Sequence, residues 1–441
     1  MIGCGNLKKC MQDNAFLAST NNFFLFIVKM HDFMSYCLRQ YYKTTGWNED
    51  NQYSNLCAAS QAILDFDPPR GFNFEISKIQ TSMFKSSYTM NASPILNGSI
   101  GYLFTSRPLI VDPSSHLNFV EIIDRFHINY SPRLMPAVEN QTIDASSKDY
   151  LLYGRLYIPT GRLEAMYSKK FSSLMQCVIR GVSESRMKAA SHCTAELQYD
   201  TGKWCTEFSF TTDGELFGIK GLYNLASHTI EQVNMDVERD SMTITQEIKI
   251  NSENSNIKST YNEKNFNTES SKMQEENEEV EALKGEWSIG AELFYGVRER
   301  SGGVSAGIRY RTLPQYSLHS PVTATYIFNP IMGYMSAAFA AQVSEDLSLC
   351  PRFGFNMYSY ESDLMIGAEW WQREKIEEDK NQNSKGEIQG VVKATISTEQ
   401  GIKLLWEGRY GKTLFGLGLV ADIKSGISPI RSVGLQFQYF S

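Results

Sequence analysis

The residue types that most often carry chemistry occur in this chain, but their spacing forms no reactive motif. The six histidines stand at positions 31, 116, 127, 192, 228 and 319 and make no H-E-x-x-H pair or other metal-ligand spacing. No G-x-S-x-G nucleophile elbow is present. Gly411, Lys412 and Thr413 look like the end of a phosphate-binding loop, but Trp406 stands where that loop requires glycine. We therefore predict no catalytic residue, no metal site and no bound cofactor, and we expect a protein that is not an enzyme.

Glutamates recur on the polar faces of alternating segments, at positions 75, 207, 292, 369 and 407. Paired carboxylates can act as general acid and base. In a closed barrel the same residues would instead balance arginines of the lumen, such as Arg309 and Arg409. We predict this structural role.

Charge and cysteine content exclude further classes of protein. The net charge is −7, and residues 231–281 alone carry −8, so the remainder is nearly neutral. This charge distribution includes no cluster of basic residues of the kind that binds nucleic acid, so we expect no nucleic-acid partner. The eight cysteines include no C-x-x-C pair, so we expect free thiols and not a disulfide framework.

Alternation of apolar and polar residues dominates the chain after Asn55, as in 71–78, 287–293 and 364–370. About eighteen to twenty such segments can be counted, each near the length that spans a bilayer as a strand. The longest apolar run is only Phe23–Val28, whereas a membrane-spanning helix needs about 20 apolar residues. The pattern excludes a helical membrane protein.

These strands predict an all-β, transmembrane, antiparallel β-barrel. Aromatic residues lie near the strand ends of the apolar faces, as membrane-interface girdles require. The opposite faces carry Gly, Ser, Thr, Gln and single charges, which suits a wet lumen. Alternation alone leaves a soluble sandwich open, for example an all-β carbohydrate-binding protein.

The segments outside the strands predict the domain organisation. We expect residues 1–29 to be an extension that is either disordered or a gene-model artefact, because Met30 offers a second start. Residues 30–46 have apolar positions on one helix face, and this helix either packs on an ordinary core or lines a barrel lumen. The barrel itself is expected over 55–441, with disordered loops near 108–148, 227–284 and 372–390.

The last strand carries a short signal. Ser432 precedes Gly434 by two positions, and Phe437 and Tyr439 follow on one face. This matches polar–x–Gly–x–x–apolar–x–apolar, the β-signal of mitochondrial outer-membrane barrels. Gly434 would allow close approach of a neighbour, while Phe437 and Tyr439 would offer apolar contact to a receiving sheet.

From about residue 30 onwards the chain resembles the fungal family of mitochondrial distribution and morphology protein 10. The stretches that carry the resemblance are Gln61–Phe66, Leu152–Pro159, Leu163–Met166, Ser288–Glu292, Phe328–Gly333, Leu364–Trp370, Lys403–Gly408 and Gly434–Tyr439. The acidic segment 231–281 departs from this family, whose longest loops lie elsewhere.

The resemblance implies a barrel similar to the voltage-dependent anion channel, with about 19 strands, a helix in the lumen and a parallel pairing of first and last strands. It also implies an integral protein of the mitochondrial outer membrane with two roles. One is to anchor the ER–mitochondria encounter structure, whose ER-anchored and soluble lipid-transfer subunits would be partners in phospholipid exchange and mitochondrial morphology. The other is to act with the core barrel of the sorting and assembly machinery in inserting β-barrel proteins.

The expected function is therefore that of an anchor and assembly partner embedded in membrane lipids. Tyr102 and Phe104 share one face of their segment, and we predict that they lie on a wall that faces a partner; plain lipid contact is the alternative. A metabolite-conducting pore is the alternative function, because the polar faces would also suit a channel.

Overall fold

The computed structural model describes residues 33–93, 96–115, 149–184, 191–225, 285–312, 321–373, 386–422 and 429–441. Within these residues, two α-helices precede the strands: α1 (Phe33–Thr45) and α2 (Ala58–Leu64), with a 3-10 turn at Tyr53–Asn55 between them. None of the helices in these residues is long and apolar enough to cross a membrane.

Nineteen strands form a single sheet that closes on itself. Each strand pairs with its neighbours along the chain, and β1 also pairs with β19, so the sheet has no open edge. This confirms the predicted barrel. The strands are β1 (Gly71–Ile79), β2 (Phe84–Asn91), β3 (Asn97–Thr105), β4 (Tyr150–Ile158), β5 (Leu163–Lys170), β6 (Met175–Ser183), β7 (His192–Asp200), β8 (Trp204–Thr211), β9 (Leu216–Asn224), β10 (Gly285–Gly296), β11 (Ser301–Thr312), β12 (Val322–Asn329), β13 (Tyr334–Ser344), β14 (Leu347–Asn356), β15 (Ser362–Arg373), β16 (Ile388–Ser397), β17 (Gly401–Tyr410), β18 (Thr413–Ala421) and β19 (Ile430–Phe440).

The pairing of β1 with β19 closes the barrel and is called the seam below. It is parallel, with Gly71 opposite Gly434 and Phe74 opposite Phe437, while the other strand pairs of the described residues are antiparallel. The parallel closure that the resemblance implied is confirmed. It follows from the odd strand number, because alternating directions leave the first and last strands pointing the same way.

Polar and apolar side chains separate cleanly between the two faces of the wall. On β10, Trp287, Ile289, Leu293 and Tyr295 face outward with 45 to 54% of their surface exposed, while Ser288 faces inward and is buried. A soluble sandwich would turn its apolar faces toward each other. This barrel turns them outward, as a barrel surrounded by acyl chains does, so the soluble alternative does not fit.

The strand ends define two rims. The first rim holds the starts of β1 and β19, and the second rim holds their ends. The three segments predicted as long loops all leave and re-enter the barrel at the second rim, since β3, β9 and β15 end there and β4, β10 and β16 begin there.

The loop boundaries differ from the prediction where the structure describes them. Residues 108–115 were expected to be disordered, but Leu109 is buried and the Ser114 hydroxyl donates a hydrogen bond to the Phe440 carbonyl. The predicted 372–390 loop is shorter, because β15 continues to Arg373 and β16 begins at Ile388. Residues 1–29, 116–148, 227–284 and 374–385, on which the other expectations rest, lie outside the described residues.

Candidate functional site in the lumen, the seam and the outer wall

Helix α1 lies inside the barrel and packs against its inner wall. Phe33, Cys37 and Tyr41 have no exposed surface. They belong to an apolar cluster with inward side chains of strands from both sides of the seam, namely Leu103, Leu151, Trp371, Val391, Leu414 and Phe440. The Phe33 and Phe440 rings lie 4.9 Å apart between centroids. The helix predicted over 30–46 is thus a lumenal helix.

The chain after α1 is hydrogen-bonded to the opposite part of the wall. Asn51 Nδ2 donates to Asp200 Oδ1 of β7 at 2.6 Å. On β8, Glu207 accepts from the backbone N–H of Tyr53 at 2.9 Å and from the Ser54 hydroxyl at 3.0 Å. Both carboxylate oxygens therefore satisfy donors of the 3-10 turn, which would otherwise be unpaired in the lumen.

Tyr53 is fixed by its ring as well as by its backbone. Its hydroxyl oxygen lies 2.6 Å from the Ser305 hydroxyl of β11. The contact is a hydrogen bond between two hydroxyl groups, and either can be the donor.

Helix α2 continues this path toward β16. Arg352 of β14 holds the Asp65 carboxylate with two hydrogen bonds of 2.6 and 2.8 Å, a geometry among the strongest available to side chains. Lys393 of β16 donates to the Ala62 carbonyl at 2.6 Å. Ile63 and Leu64 pack on Ala340, Cys350 and Met365 of β13, β14 and β15.

Residues 33–70 together are called the plug below. Inward glycines of the wall lie where the plug comes closest. A Cβ atom on Gly290 would stand 2.5 Å from the Tyr53 ring, and one on Gly307 would stand 2.4 Å from Leu56 Cδ2. On Gly367 it would stand 2.6 Å from Leu64 Cδ2. Contacts between Cβ and carbon this short do not occur, so wall and plug fit each other in detail.

Two of the predicted inward glutamates form ion pairs with lysines of neighbouring strands. Glu369 pairs with Lys393 at 2.9 Å and Glu292 with Lys220 at 3.6 Å, each across neighbouring strands. Arg309 donates instead to the Asp50 carbonyl of the plug, and Arg409 pairs with Glu387 at the rim. For Glu369 and Glu292 the partners are thus lysines and not the two arginines that the prediction named, because the strand register was needed to assign the pairs.

The four β-signal residues divide between the two faces of β19. Gly434 and Ser432 point inward, opposite Gly418 and Val420 of β18. Phe437 and Tyr439 point outward, beside Phe74 and Ile76 of β1, and the Phe437 ring lies 5.8 Å from that of Phe72. The signal thus lies at the seam, where β19 pairs with β1. Its role in insertion stays a prediction.

Tyr102 and Phe104 lie on the outward face of β3, as their alternation predicted. Tyr102 is 45% exposed, and its ring stacks on Phe84 of β2 at 5.8 Å and an interplanar angle of 15°. Phe104 lies 6.1 Å from Tyr150 of β4. The two side chains belong to one aromatic surface over β2, β3 and β4. That this surface faces a partner stays a prediction.

Sequence reasoning missed most of the plug. The predicted barrel range 55–441 includes the residues that form helix α2. Ala59, Ala62 and Ile63 recur at helical spacing and could have indicated this helix. The residues that hold it, such as Arg352 and Lys393, carry no local signal because their partners are hundreds of positions away. Among the described residues, no group of three or more His, Cys, Asp or Glu side chains is placed to hold a metal ion, and the six cysteines are free thiols.

The fold and this site define a class: a closed β-barrel with an odd number of strands, a parallel seam and a plug formed by its own N-terminal segment. The family model described as "Mitochondrial distribution and morphology protein 10" matches residues 30–387 and 373–441. The chain therefore belongs to this family. Family members of that name from Postia placenta, Laccaria bicolor and Coprinopsis cinerea are 39%, 37% and 36% identical to it, over 93% of this chain and the full length of each relative.

The first prediction concerns the anchoring of the plug. Asp65→Asn removes one charged oxygen from the bidentate pair with Arg352. Hydrogen bonds to charged groups contribute about 1.5–3 kcal/mol, so we expect amide exchange in α2 to become at least about tenfold faster. Hydrogen-exchange mass spectrometry of the purified barrel measures this.

Asp363→Asn is the matched control. Asp363 lies on β15, and the hydrogen bonds found for its carboxylate come from Ser397 and Thr398 and not from the plug. It should leave exchange in α2 unchanged. Equal acceleration by both variants would contradict the role assigned to the Asp65–Arg352 pair.

Proposed function

We propose that the protein is a non-enzymatic barrel of the mitochondrial outer membrane that anchors the ER–mitochondria encounter structure and acts with the sorting and assembly machinery. In the first role it would support phospholipid exchange and mitochondrial morphology and inheritance. In the second it would assist biogenesis of outer-membrane β-barrel proteins. Its partners would be the ER-anchored and soluble lipid-transfer subunits and the core barrel of the machinery, within membrane lipids.

The occupied lumen is the observation that carries this proposal. Plug residues bond to β7, β8, β11, β14 and β16 and pack on several further strands. Because the plug occupies part of the lumen, the outer wall and the rims are the surfaces that we assign to partners. Family membership supports the link to mitochondrial distribution and morphology.

The two proposed roles would use different surfaces. The outward wall lies in lipid and suits contact with another barrel. The second rim, where the long segments between strands begin and end, suits subunits outside the membrane. Native-gel identification of co-purifying subunits tests both roles together: recovery of neither complex would overturn the proposal.

The aromatic surface on β3 yields a prediction for the machinery. Tyr102→Ala with Phe104→Ala should lower recovery of the sorting and assembly machinery while the barrel still inserts. Buried aromatic anchors often contribute about 2 kcal/mol or more, so the loss should be at least about tenfold. Native-gel analysis and carbonate extraction measure recovery and insertion.

Tyr326→Ala with Phe328→Ala provides the matched control. These residues form the same Tyr-x-Phe pair on the outward face of β12, nine strands away around the wall. The control should co-purify normally. Unchanged recovery with the β3 variant would leave plain lipid contact as the role of Tyr102 and Phe104.

The β-signal gives a separate prediction about insertion. Phe437→Ser with Tyr439→Ser removes both outward apolar positions of the signal, and we expect the imported chain to stall before integration. Val433→Ser with Leu435→Ser changes two outward residues of the same strand outside the signal positions and should integrate. Import assays followed by carbonate extraction compare them, and normal integration kinetics of the first variant would count against the signal.

A metabolite-conducting pore is the second candidate, because the inner wall carries charged side chains such as Arg180, Lys220 and Glu196. Since the plug bonds to many strands, we expect the purified barrel to give no large, stable, voltage-dependent conductance in planar bilayers. Glu207→Gln with Arg352→Ala loosens the plug at two anchors and should increase open events. A large conductance of the unaltered protein would favour the pore.

A further inference from the structure

Two inward glycines form a shallow trough beside the seam. Gly418 of β18 and Gly434 of β19 are register partners, so they lie side by side on the inner face. Neither has a side chain, and the wall between them is bare backbone. These two residues are called the seam trough.

The last part of the plug lies directly on this trough. Residues Phe66–Arg70 connect α2 to β1 and are called the strap; Phe66, Pro68 and Pro69 are buried. A Cβ atom on Gly434 would stand 2.1 Å from the Pro69 carbonyl oxygen and 2.7 Å from Arg70 Cα. One on Gly418 would stand 2.6 Å from Pro69 Cδ and 2.8 Å from Pro68 Cβ. No side chain fits between strap and trough.

The strap meets β19 at the position where the seam begins. It runs into β1 at Gly71, which adopts a φ of 67° and is the parallel partner of Gly434. Parallel pairing is slightly less stable per residue than antiparallel pairing. The strap therefore supports the β1–β19 pairing, which is the one parallel pairing among the described strands.

The trough also discriminates between registers of the final strand. Sliding β19 by two residues keeps its inward and outward faces but brings Ser432 or Gln436 under the strap instead of Gly434. Either side chain would occupy the space of the Pro69 and Arg70 backbone. Only the observed register places a glycine there on β19.

We propose that the strap is an internal template for barrel closure. It packs against Gly434 in the seam trough and thereby fixes the register of β19 against β1. Gly434 of the β-signal then serves a contact within the folded chain, in addition to any recognition during insertion. The plug must be in the lumen for the seam to close correctly.

The test is a set of variants of the full chain, purified and folded in detergent. Gly418→Ala places a methyl group against the two proline rings, and overpacking of this kind should lower Tm by about 5 °C. It should also accelerate amide exchange in β1 and β19 more than in β6 and β7. Gly416→Ala is the matched control, two positions along the same inward face, where the nearest atom to a Cβ is 3.7 Å away; it should change neither value.

Repeating the substitutions in a Pro68→Gly, Pro69→Gly background tests the contact itself. Without the rings the strap can lift from Gly418, so Gly418→Ala should lose at least half of its effect on Tm. Gly434→Ala meets strap backbone and should remain destabilising in both backgrounds. The Pro68→Gly, Pro69→Gly chain alone should show faster exchange in β1 and β19.

Three outcomes would overturn the proposal. They are equal effects of Gly418→Ala and Gly416→Ala, an effect of Gly418→Ala that is the same in both backgrounds, and unchanged seam exchange in the Pro68→Gly, Pro69→Gly chain. The last measurement involves no added side chain, so it decides the question even if a glycine variant fails to fold.

Discussion

The absence of hydrogen-bonding partners in lipid is the constraint on which the rest of this structure depends. A wall of strands in a bilayer must pair every backbone N–H and C=O within itself, and only a closed sheet does so. With nineteen strands, closure requires a parallel seam between β1 and β19. The plug runs from one rim to the other: β1 starts at the first rim, while α1 lies beside Phe440 near the second. Residues 33–70 therefore cross the height of the barrel before the wall begins.

The contacts inside the lumen follow from the path of the plug across the barrel. The plug brings unpaired backbone groups and charged side chains into the interior of the barrel. The backbone groups need hydrogen-bond partners there, and the charges need opposite charges or hydrogen bonds. Glu207 accepts the donors of the 3-10 turn, and Arg352 and Lys393 hold the end of α2. Charged residues of the inner wall such as Glu207, Arg352 and Lys393 thus hold the plug in place.

The wall was predictable from sequence and the plug was not. Apolar residues at every second position, such as Trp287, Ile289 and Leu293, show from the local sequence which side chains face outward. The barrel and the outward position of Tyr102 could therefore be predicted from this pattern. The seam direction came only from the family resemblance. The plug depends on contacts such as Asn51 with Asp200, 149 positions apart, which no local pattern encodes. Gly434 was found through its motif, but the strap that requires a glycine there lies more than 360 positions earlier in the chain.

The N-terminal and C-terminal parts of the described chain therefore meet at the seam. The strap and β1 come from the N-terminal side, β19 from the C-terminal side, and they join where the signal residues lie. Before closure, β19 offers a free edge and an outward apolar face formed by Phe437 and Tyr439, which a receiving sheet can bind. After closure the same edge is paired with β1, and the strap lies on the inner face of β19 at Gly434. Closure therefore removes the free edge, while Phe437 and Tyr439 stay on the outward face of the wall.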